Sequence, residues 1–516
     1  GESTHPQRGE GRVRTVRLAP GRTRTVSVPL ARHGWYDIVV LDEDDPRFLR
    51  RMSGRPADSG PGATDPAIGT GPVLSAALTL PEPLPPLTAP LVQGSPAEVV
   101  VRIRNEEPDR LRDLAVSLLA PSGWTVAPAG PVPRSLPGGG SADLRFTVTP
   151  AADATTATLT LAARAEGDGL LRVADARIRA EVARAVTLTL TAPASSPGTD
   201  GCALYPQQPL AVTATVTNAG NAPLTDLAAA LALPDGWRAE PVAGAPDAVP
   251  ARTSVKVVWE VTAPASAART SATLKATVGA RTAGGAAVEQ TEALTARVGP
   301  VMTGYLLAEN FESLADRLAP ATDLSRPGLR GWTRTAPEGW TVTNAAGMPR
   351  GTEELDGWSF LSRQFWFPAG QERAAFGRSL GVVAVADPDD WDDTGSPSSR
   401  GTFDSTLTTP AVEIPAGTPT LYLGFDSHYR QESPQEAEVT VVFDTGATSR
   451  VLHYSSAPSG NTNGGRDQQN RLVTCSFPVP ADARSVKVGF RVHHAGNNWF
   501  WAVDNIRLGA APLTDI

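Results

Sequence analysis

Residues Asn498–Leu508 read NWFWAVDNIRL, and this stretch decides how the C-terminal part of the chain folds. Side chains of a β-strand alternate between its two faces. One face then carries Phe500, Ala502, Asp504, Ile506 and Leu508. The opposite face carries Trp499, Trp501, Val503, Asn505 and Arg507. A carboxylate in an apolar row needs a cation, an arginine or several backbone N–H groups, so Asp504 is the first candidate site residue.

The region that leads up to this strand, from Gly304, holds seven of the eleven tryptophans. Its landmarks, in order, are AENFES (Ala308–Ser313), DGWSFLSRQFW (Asp356–Trp366), FDSTLTTPAVEIP (Phe403–Pro415), LYLGFDSHYRQ (Leu421–Gln431) and WAVDNIRL. This order resembles MAM-like and cleaved-adhesin jelly rolls, which begin with a Phe-Glu strand and close with an Ala-Φ-Asp-Asn strand. The cysteines of MAM domains are absent. The resemblance implies a jelly-roll β-sandwich.

The resemblance also implies a calcium site. In that fold the first and last strands lie close together, which brings Glu312 toward Asp504. Two carboxylates near a core repel each other unless a positive charge lies between them. The family implies Ca²⁺, a hard cation that takes six to eight oxygen ligands, with Asp426 completing the shell. The alternative is that Glu312 accepts backbone N–H bonds or pairs with an arginine.

The FDSHYRQ stretch predicts a second, ligand-binding site. Alternation places Asp426, His428 and Arg430 on one face of the strand, opposite Phe425, Ser427 and Tyr429. Tryptophan faces stack on flat rings, and charged groups fix hydroxyls. The predicted ligand-binding residues are His428, Arg430, Trp499 and Trp501, for a glycan or another cell-surface ligand. The alternative is that these tryptophans belong to the core.

Three other patterns predict no active site. Gly377–Gly381 fits G-x-S-x-G, but a strand follows where a nucleophile elbow needs a helix. The acidic run at Asp387–Asp393 lacks the glycine and final glutamate of an EF-hand loop and predicts a solvated turn. His493 and His494 are adjacent, so on a regular strand they point to opposite faces and cannot share a metal. We therefore predict no catalytic residues.

Residues 73–298 contain a tandem repeat. Asn105 corresponds to Asn218 and Trp124 to Trp237, and both differences are 113. A repeat of this length predicts one β-sandwich of immunoglobulin size per copy. Each tryptophan is expected to fill one end of its core, with the indole N–H bonded to a carbonyl. The pattern resembles the NPCBM-associated Ig-like domains of bacterial glycosidases, which implies spacer domains.

The N-terminal residues contain HGWYDIVVLDEDDPRFLRRMSGR followed by TDPAIG. They resemble the C-terminal domain of bacterial phospholipases C that prefer phosphocholine substrates, of which they cover about the last half. In that family the small β domain follows a catalytic domain of the alkaline-phosphatase superfamily. The resemblance implies that a catalytic domain lies upstream of Gly1. The alternative is an unrelated small β-hairpin module.

Composition narrows the classes of function. The net charge is -8 and no basic stripe with interleaved aromatics occurs, which argues against nucleic-acid binding. No apolar run reaches the ~18 residues that span a bilayer. The scarcity of lysine, with only Lys256, Lys275 and Lys487, is typical of a GC-rich bacterium. The two cysteines, Cys202 and Cys475, are expected to be thiols, with an inter-domain disulfide as the alternative.

The predicted fold class is all-β. It comprises a small β domain (1–72), two tandem Ig-like β-sandwiches (73–183 and 184–298) and a C-terminal jelly-roll β-sandwich (299–516). The predicted function is a non-catalytic accessory or targeting region of a secreted bacterial phosphoesterase of the phospholipase C type. One alternative is a carbohydrate-binding or adhesion module of an unrelated secreted protein. Another is a jelly roll that hydrolyses glycans itself, with carboxylates such as Glu436 or Glu438.

Overall fold

The computed structural model describes residues 15–27, 36–42, 48–54, 74–83, 87–167, 170–193, 201–320 and 330–513. Over these ranges the chain is an all-β, multi-domain protein with a few short helical segments. The TDPAIG motif and part of the GWYD motif lie outside the described residues. No helix in the described ranges is both long enough and apolar enough to cross a bilayer.

The N-terminal region contains one described hairpin. It consists of β1 (Tyr36–Leu41) and β2 (Leu49–Gly54), which pair antiparallel. The turn predicted at Ala19–Arg22 is present, because the Arg22 N–H donates to the Ala19 carbonyl at 3.1 Å. Gly21 takes the left-handed backbone of that turn, with φ 73°. The flanking residues in 15–27 form no strand, so the predicted alternating hairpin is not formed in that range.

The next two units, sandwich A (residues 74–183) and sandwich B (residues 186–298), each pack one sheet against another. The strands of sandwich A are β3 (Leu74–Thr79), β4 (Leu91–Val92), β5 (Ala97–Asn105), β6 (Arg112–Leu119), β7 (Thr125–Pro128), β8 (Ser141–Thr149), β9 (Thr156–Gly167) and β10 (Leu170–Ala183). They form sheets of order β3-β5-β8-β7 and β4-β10-β9-β6. Alternation produces the core: Val99, Val101 and Ile103 are fully buried on β5, while the residues between them face outward.

Sandwich B repeats this topology. Its strands are β11 (Val186–Thr191), β12 (Cys202–Leu204), β13 (Leu210–Asn218), β14 (Leu224–Ala232), β15 (Arg238–Ala243), β16 (Ala248–Val249), β17 (Ser254–Thr262), β18 (Ser271–Arg281) and β19 (Ala287–Val298). The sheet orders are β11-β13-β17-β15 and β12-β19-β18-β14-β16. A one-turn 3₁₀ helix, Ala265–Ala267, precedes β18. The two repeated tryptophans, Trp124 and Trp237, are half-buried and pack against the cores of their sandwiches, which agrees with the predicted contact with the core.

The two aligned asparagines hold equivalent positions. Asn105 is fully buried at the end of β5, and its Nδ2 donates to the carbonyls of Asp109 (2.8 Å), Leu136 (3.4 Å) and Pro137 (3.0 Å). Asn218 donates in the same way to Ala222 (2.9 Å), Val249 (3.0 Å) and Pro250 (3.2 Å). Each Oδ1 accepts a backbone N–H two residues further along the chain. The repeated asparagine therefore ties the turn after its strand to a neighbouring loop.

The C-terminal sandwich (residues 307–509) is the largest unit. Its strands are β20 (Leu307–Glu309), β21 (Ala319–Pro320), β22 (Arg330–Thr333), β23 (Thr341–Asn344), β24 (Ser359–Ser362), β25 (Val382–Ala386), β26 (Phe403–Thr408), β27 (Val412–Glu413), β28 (Thr420–Tyr429), β29 (Glu436–Phe443), β30 (Thr448–Ser455), β31 (Gln468–Pro478), β32 (Ser485–Ala495) and β33 (Trp501–Gly509). Eight strands form one sheet, of order β21-β22-β24-β25-β33-β28-β31 with β20 added beside β33. Six form the other, of order β23-β26-β32-β29-β30 with β27 beside β32.

The eight-stranded sheet is covered on both faces. Its inner face shares the main core with the six-stranded sheet, and its outer face carries a second apolar cluster that includes Trp366, Phe376 and Phe500. The helical segments of the unit are Glu312–Arg317, α1 (Arg363–Trp366), Phe367–Ala369, Arg373–Ala375, α2 (Pro388–Asp392) and Pro397–Ser399. The segment after β24, residues 363–381, lies on the outer face and supplies Trp366 and Phe376. Strand β33 is therefore buried along its whole length.

Candidate functional site

The predicted alternation of the last strand is correct only for its first half. Trp501 and Val503 lie in the main core, whereas Phe500 and Ala502 lie in the outer cluster. Asn505 has a left-handed backbone, φ 52°, and the β28–β33 register shifts at this point. This β-bulge inserts one residue into β33 and returns Ile506 and Leu508 to the main core. The prediction that they share a face with Asp504 is therefore wrong.

Asp426 is fully buried on the outer face of the eight-stranded sheet, where two arginines neutralise it. Arg269, which belongs to sandwich B, brings its Nη1 to 2.6 Å from Oδ2 of Asp426. Arg378 donates its Nε–H to Oδ1 at 2.8 Å, and the Asn505 side-chain amide donates to Oδ2 at 2.8 Å. A buried carboxylate needs hydrogen-bond donors, and Asp426 has three. Asp426 therefore joins two domains through charge.

Asp504 and Glu312 lie on either side of Gly381. Asp504 accepts the Leu380 N–H at 2.9 Å, and Glu312 accepts the Val382 N–H at 3.3 Å. Burial raises the pKa of Asp504 well above its usual value and that of Glu312 to about 8, and their mutual repulsion adds to the shift of Asp504. A Cβ on Gly381 would come within 2.2 Å of both Glu312 carboxyl oxygens, so only glycine fits there. The pKa of Glu312 makes it mostly protonated at neutral pH.

These contacts do not fit a calcium shell of six to eight oxygens. Both Asp426 oxygens and the Asp504 Oδ2 face N–H donors, and Arg269 stands where a cation would balance the charge. Glu312 offers one enclosed oxygen, Oε2, that has no hydrogen-bond partner among the described residues. Of the alternatives for Glu312, the structure shows a backbone N–H bond, from Val382, and the arginines pair instead with Asp426. Calcium at Glu312, Asp426 and Asp504 stays a prediction.

His428 is on the predicted face of β28 but is not at the surface. It is fully buried, and its ring stacks between Phe376 and Phe500 at centroid distances of 5.5 and 5.4 Å. Its Nδ1 accepts the Asn470 N–H at 3.1 Å, which makes Nε2 the protonated nitrogen. Burial lowers the pKa of His428 to about 4, so the ring is neutral. His428 is a packing residue in this structure and does not reach a surface ligand.

Trp501 is also buried, on the opposite face of the sheet. Its indole N–H donates to the Ser427 Oγ at 2.9 Å, and its ring packs edge-on against Trp358 and Phe425. Tyr429, Phe425 and Ser427 share this inner face, as the alternation of the FDSHYRQ stretch predicts. Trp501 and Trp499 therefore do not form one stacking platform. The alternative that Trp501 is a core residue is the one the structure shows.

Arg430 and Trp499 do come together, at the rim of the eight-stranded sheet. The Arg430 guanidinium lies 4.1 Å from the centre of the half-buried Trp499 ring, and its Nη1 donates to the Gln371 carbonyl at 3.0 Å. Gln371 and Glu372 are consecutive residues with left-handed backbones, φ 52° and 64°, which is strained for non-glycine residues. Two further residues join this corner: Gln469 donates to Glu372 at 2.5 Å, and Asp467 lies 3.8 Å from Arg430. We call the whole group the rim cluster; its members are Gln371, Glu372, Arg430, Asp467, Gln469 and Trp499.

The sequence predicted a solvated turn for the acidic run at Asp387–Asp393, and this prediction is wrong. It forms α2, with Asp387 fully buried as the N-cap, and its side chain accepts the Asp390 N–H at 3.3 Å. Arg373, itself buried, lies 3.0 Å from Asp387, 3.3 Å from Asp389 and 3.0 Å from Asp390. Burial, with the charge of Asp387, raises the pKa of Asp390 to about 7. The arginine occupies the centre of this cluster and links it to the 363–381 segment.

The remaining patterns give no reactive centre in the described ranges. Ser379, of the G-x-S-x-G match, is fully buried and its hydroxyl donates to the Phe376 carbonyl at 2.7 Å, and β25 follows it. Glu436 and Glu438 are two residues apart on the open face of one strand and do not face each other across a cleft. Cys202 and Cys475 are both free, and burial raises the pKa of each thiol to about 11.

Two family models match parts of the chain. Residues 91–166 and 204–281 match the NPCBM-associated family, described as the NEW3 domain of alpha-galactosidase, and these residues lie within sandwiches A and B. Residues 3–55 match the C-terminal domain of bacterial phospholipase C. Both resemblances inferred from sequence motifs are therefore confirmed, and the phospholipase match ends at the β1–β2 hairpin.

Among curated proteins, a non-hemolytic phospholipase C of Pseudomonas aeruginosa is 43% identical over 63 residues. The match covers 12% of this chain and 9% of that enzyme, so the chain spans only a small part of the relative's length.

Among solved structures, the K1 cleaved adhesin domain of Lys-gingipain from Porphyromonas gingivalis is 17% identical, with a TM-score of 0.24. That alignment covers 40% of this chain and 98% of the adhesin domain. TmCBM61 in complex with β-1,4-galactotriose is 11% identical with a TM-score of 0.21, covering 33% of this chain and 88% of that one. Over the described residues the chain is all-β, and its segments match, in order, the C-terminal domain of bacterial phospholipase C and then, twice, the NPCBM-associated family.

Proposed function

We propose that this chain is the non-catalytic accessory region of a secreted bacterial phosphoesterase of the phospholipase C type, and that it positions the enzyme on an extracellular or cell-surface ligand. The observation that carries the proposal is the order of the matched segments. A phospholipase C C-terminal segment is followed by two NPCBM-associated sandwiches and a larger sandwich. Asp426 and Arg269 connect that last unit to its neighbour, so it is presented in a defined orientation.

The rim cluster supplies the ligand surface in this proposal. It combines a partly exposed indole with a guanidinium, two carboxylates and two side-chain amides within one corner of the sheet. An aromatic face beside hydrogen-bonding groups suits the ring and hydroxyls of a sugar. His428 does not touch the ligand here. It supports β28, which ends one residue before Arg430, because its ring packs between Phe376 and Phe500.

Binding of the purified chain to a panel of immobilised glycans and bacterial or host cell-surface preparations tests this proposal. Trp499→Ala and Arg430→Ala should each weaken binding at least tenfold, because each removes one half of the cation–π pair. Val442→Ala is the matched control, since Val442 is an exposed side chain on the six-stranded sheet. Binding that is unchanged in both rim variants would overturn the assignment of the ligand surface.

The same purified chain should hydrolyse neither phosphocholine esters nor glycosides, because no nucleophile–base pair is formed in the described residues. Turnover that a point mutation in this chain abolishes would contradict the accessory role.

The second candidate function is a carbohydrate-binding or adhesion module that has no phosphoesterase partner. The partly exposed Trp499 favours it as much as it favours the first. The two proposals differ in the parent protein. The parent reading frame separates them: a phospholipase C catalytic domain encoded upstream of Gly1 supports the accessory proposal, and an unrelated upstream sequence supports the second.

A further inference from the structure

The junction between sandwich A and sandwich B leaves almost no free chain. Only Arg184 and Ala185 lie between β10, the last strand of sandwich A, and β11, the first strand of sandwich B. Ala185 is buried, and its N–H donates to the Oε1 of Gln93 in sandwich A at 3.4 Å. A connection of two residues, one of them buried, is too short and too constrained to act as a flexible tether.

The two sandwiches also share apolar packing. Val92 belongs to β4 of sandwich A, yet it is buried within the core of sandwich B. Three further side chains of sandwich A pack against that same core; they are Leu87, Ala152 and Ala183. Moving one sandwich relative to the other would return this apolar surface to water, so the shared packing resists such motion.

A glycine allows the two sandwiches to approach this closely. Gly94, in the turn after β4, has a left-handed backbone, φ 58°, and lies against the buried Thr282 of sandwich B. A Cβ on Gly94 would lie 2.5 Å from the Thr282 Cγ2 and 2.8 Å from its Cβ, so only glycine fits there. Beside this contact, the Asn221 N–H of sandwich B donates to the Oγ of the buried Ser95 at 2.8 Å. These contacts fit one relative placement of the two sandwiches.

The junction between sandwich B and the C-terminal sandwich is built in the same way. Gly299, directly after β19, is buried, and a Cβ on it would lie 2.4 Å from the Tyr205 ring and 3.0 Å from Leu380. Tyr205 of sandwich B, Leu380 of the C-terminal sandwich and Met302 between them form a buried apolar cluster. The ion pair described above, between Arg269 and Asp426, spans the same junction.

We propose that the three sandwiches form one rigid arm, which holds the rim cluster at a fixed distance and direction from β3. Consecutive domains usually move relative to each other unless their interface is extensive and apolar. Here both junctions combine apolar burial, directional polar contacts and a glycine that has no room for a side chain. The purpose of the arm rests on the proposed function, in which this fixed offset separates the bound ligand from the phosphoesterase.

Pulsed EPR between pairs of spin labels tests the arm, because it measures the width of a distance distribution as well as its mean. Thr158→Cys and Lys275→Cys place exposed labels on sandwiches A and B, and Lys275→Cys with Thr448→Cys spans the second junction. The background carries Cys202→Ala and Cys475→Ala, so that neither native thiol is labelled. Each pair should give a single narrow distance. A broad distribution across either junction would overturn the proposal.

A substitution at the first junction makes the test specific. Gly94→Asn introduces a residue that tolerates the left-handed backbone but places a side chain against Thr282. It should shift or broaden the distance between sandwiches A and B and leave the second distance unchanged. Gly139→Asn is the matched control, since Gly139 also has a left-handed backbone, φ 64°, but open space where the Cβ would lie.

Gly299→Ala is the corresponding substitution at the second junction, where it should shift or broaden only the second distance. Its matched control is Gly279→Ala, in sandwich B, where a Cβ meets open space. The distance that each junction variant leaves unchanged shows that its sandwiches are folded. Junction variants that change neither distance, or controls that change them equally, would overturn the proposal. If a junction variant does not fold, the distances in the unsubstituted background decide. Glycan binding at the rim cluster does not require a rigid arm, so the two proposals fail independently.

Discussion

At the scale of single residues, Glu312 shows how burial controls ionisation. Its folded-state pKa of about 8 lies above the value of 4.5 for an exposed glutamate. Between those two values the folded chain holds a proton that the unfolded chain has released. Unfolding then becomes more favourable as pH rises, so this carboxyl lowers stability from about pH 4.5 to pH 8 and has no further effect above that.

Glu312→Gln keeps the shape of the side chain and removes its titration. We expect the fall in stability between pH 5 and 8 to be shallower in the variant, with the remaining slope due to Asp504 and Asp390, and we expect the variant to exceed the wild-type chain by a few kcal/mol at pH 8. Tryptophan fluorescence during denaturant unfolding measures this, since the C-terminal sandwich holds most of the tryptophans. Asp444→Asn, at an exposed carboxyl whose pKa is lowered by its bonds to the Arg484 N–H, is the control. An unchanged pH slope in Glu312→Gln would contradict the assignment.

The same unfolding experiment tests the calcium prediction. A cation bound by Glu312, Asp426 and Asp504 in the folded state alone would stabilise it by about 2.7 kcal/mol at a hundredfold excess over Kd. The arginine pairing of Asp426 leads us to expect no such shift. A calcium-dependent increase that Asp504→Asn abolishes would restore the metal interpretation.

At the scale of elements, the buried asparagines explain why the two sandwiches share a sequence pattern. Asn105 and Asn218 each donate to three carbonyls of the segments that follow their strands. Hydrogen bonds of this kind contribute about 0.5–1.5 kcal/mol each. The asparagine therefore stabilises the contact between the turn after its strand and a neighbouring loop, and the strand itself does not need it.

We expect Asn105→Ala and Asn218→Ala each to destabilise its own sandwich by about 2–3 kcal/mol. Hydrogen exchange read out on peptides of each sandwich measures the effect separately. Asn221→Ala, at a partly exposed turn residue of sandwich B, is the control and should change little. Equal loss of protection in both sandwiches from one substitution would show that they unfold as a unit, against this prediction.

Two β-bulges, at Asn505 and at His494, are the element-scale features that the sequence did not reveal. Both residues have left-handed backbones inside long strands, and each changes which side chains share a face. The prediction that His493 and His494 point to opposite faces is wrong, since their ring centroids lie 4.5 Å apart. Asparagine tolerates that conformation better than most residues, so Asn505 carried a weak signal. His494 carried little signal, because an HH pair on a strand otherwise alternates.

At the scale of the whole molecule, the contact between sandwich B and the C-terminal sandwich depends on charge. Arg269 follows a tight turn with its own left-handed backbone, φ 64°, and reaches Asp426 in the neighbouring unit. Arg297 adds a bond to the Gly377 carbonyl at 2.5 Å, and Tyr205 is buried at the same interface as Glu312. The interface thus combines a buried ion pair with carboxyls held neutral by burial.

We expect Arg269→Ala to weaken the coupling between the two units by about 2 kcal/mol, since Arg378 still pairs with Asp426 and the Asn505 amide still donates to it. Calorimetry should show one transition for the pair in the wild-type chain and two in the variant. Arg281→Ala is the control, because Arg281 pairs with Asp226 inside sandwich B on an exposed surface. Two transitions already present in the wild-type chain would show that the ion pair does not couple the units.

Sequence alone determined the all-β class, the tandem repeat and the two confirmed family resemblances, because these depend on local alternation and on spacing along the chain. It also placed Asp426 and His428 on one face of β28, since the register shifts beside this strand insert their extra residues into its partners β31 and β33. Only the tertiary structure decided what those residues do. The bulges change the face of the sheet on which the following side chains lie. The packing of the second sheet buries Trp501. Arg269, 157 residues from Asp426 along the chain, pairs with that carboxylate, which the sequence had predicted as a calcium ligand. Such contacts are fixed by packing between distant segments, which no local pattern encodes.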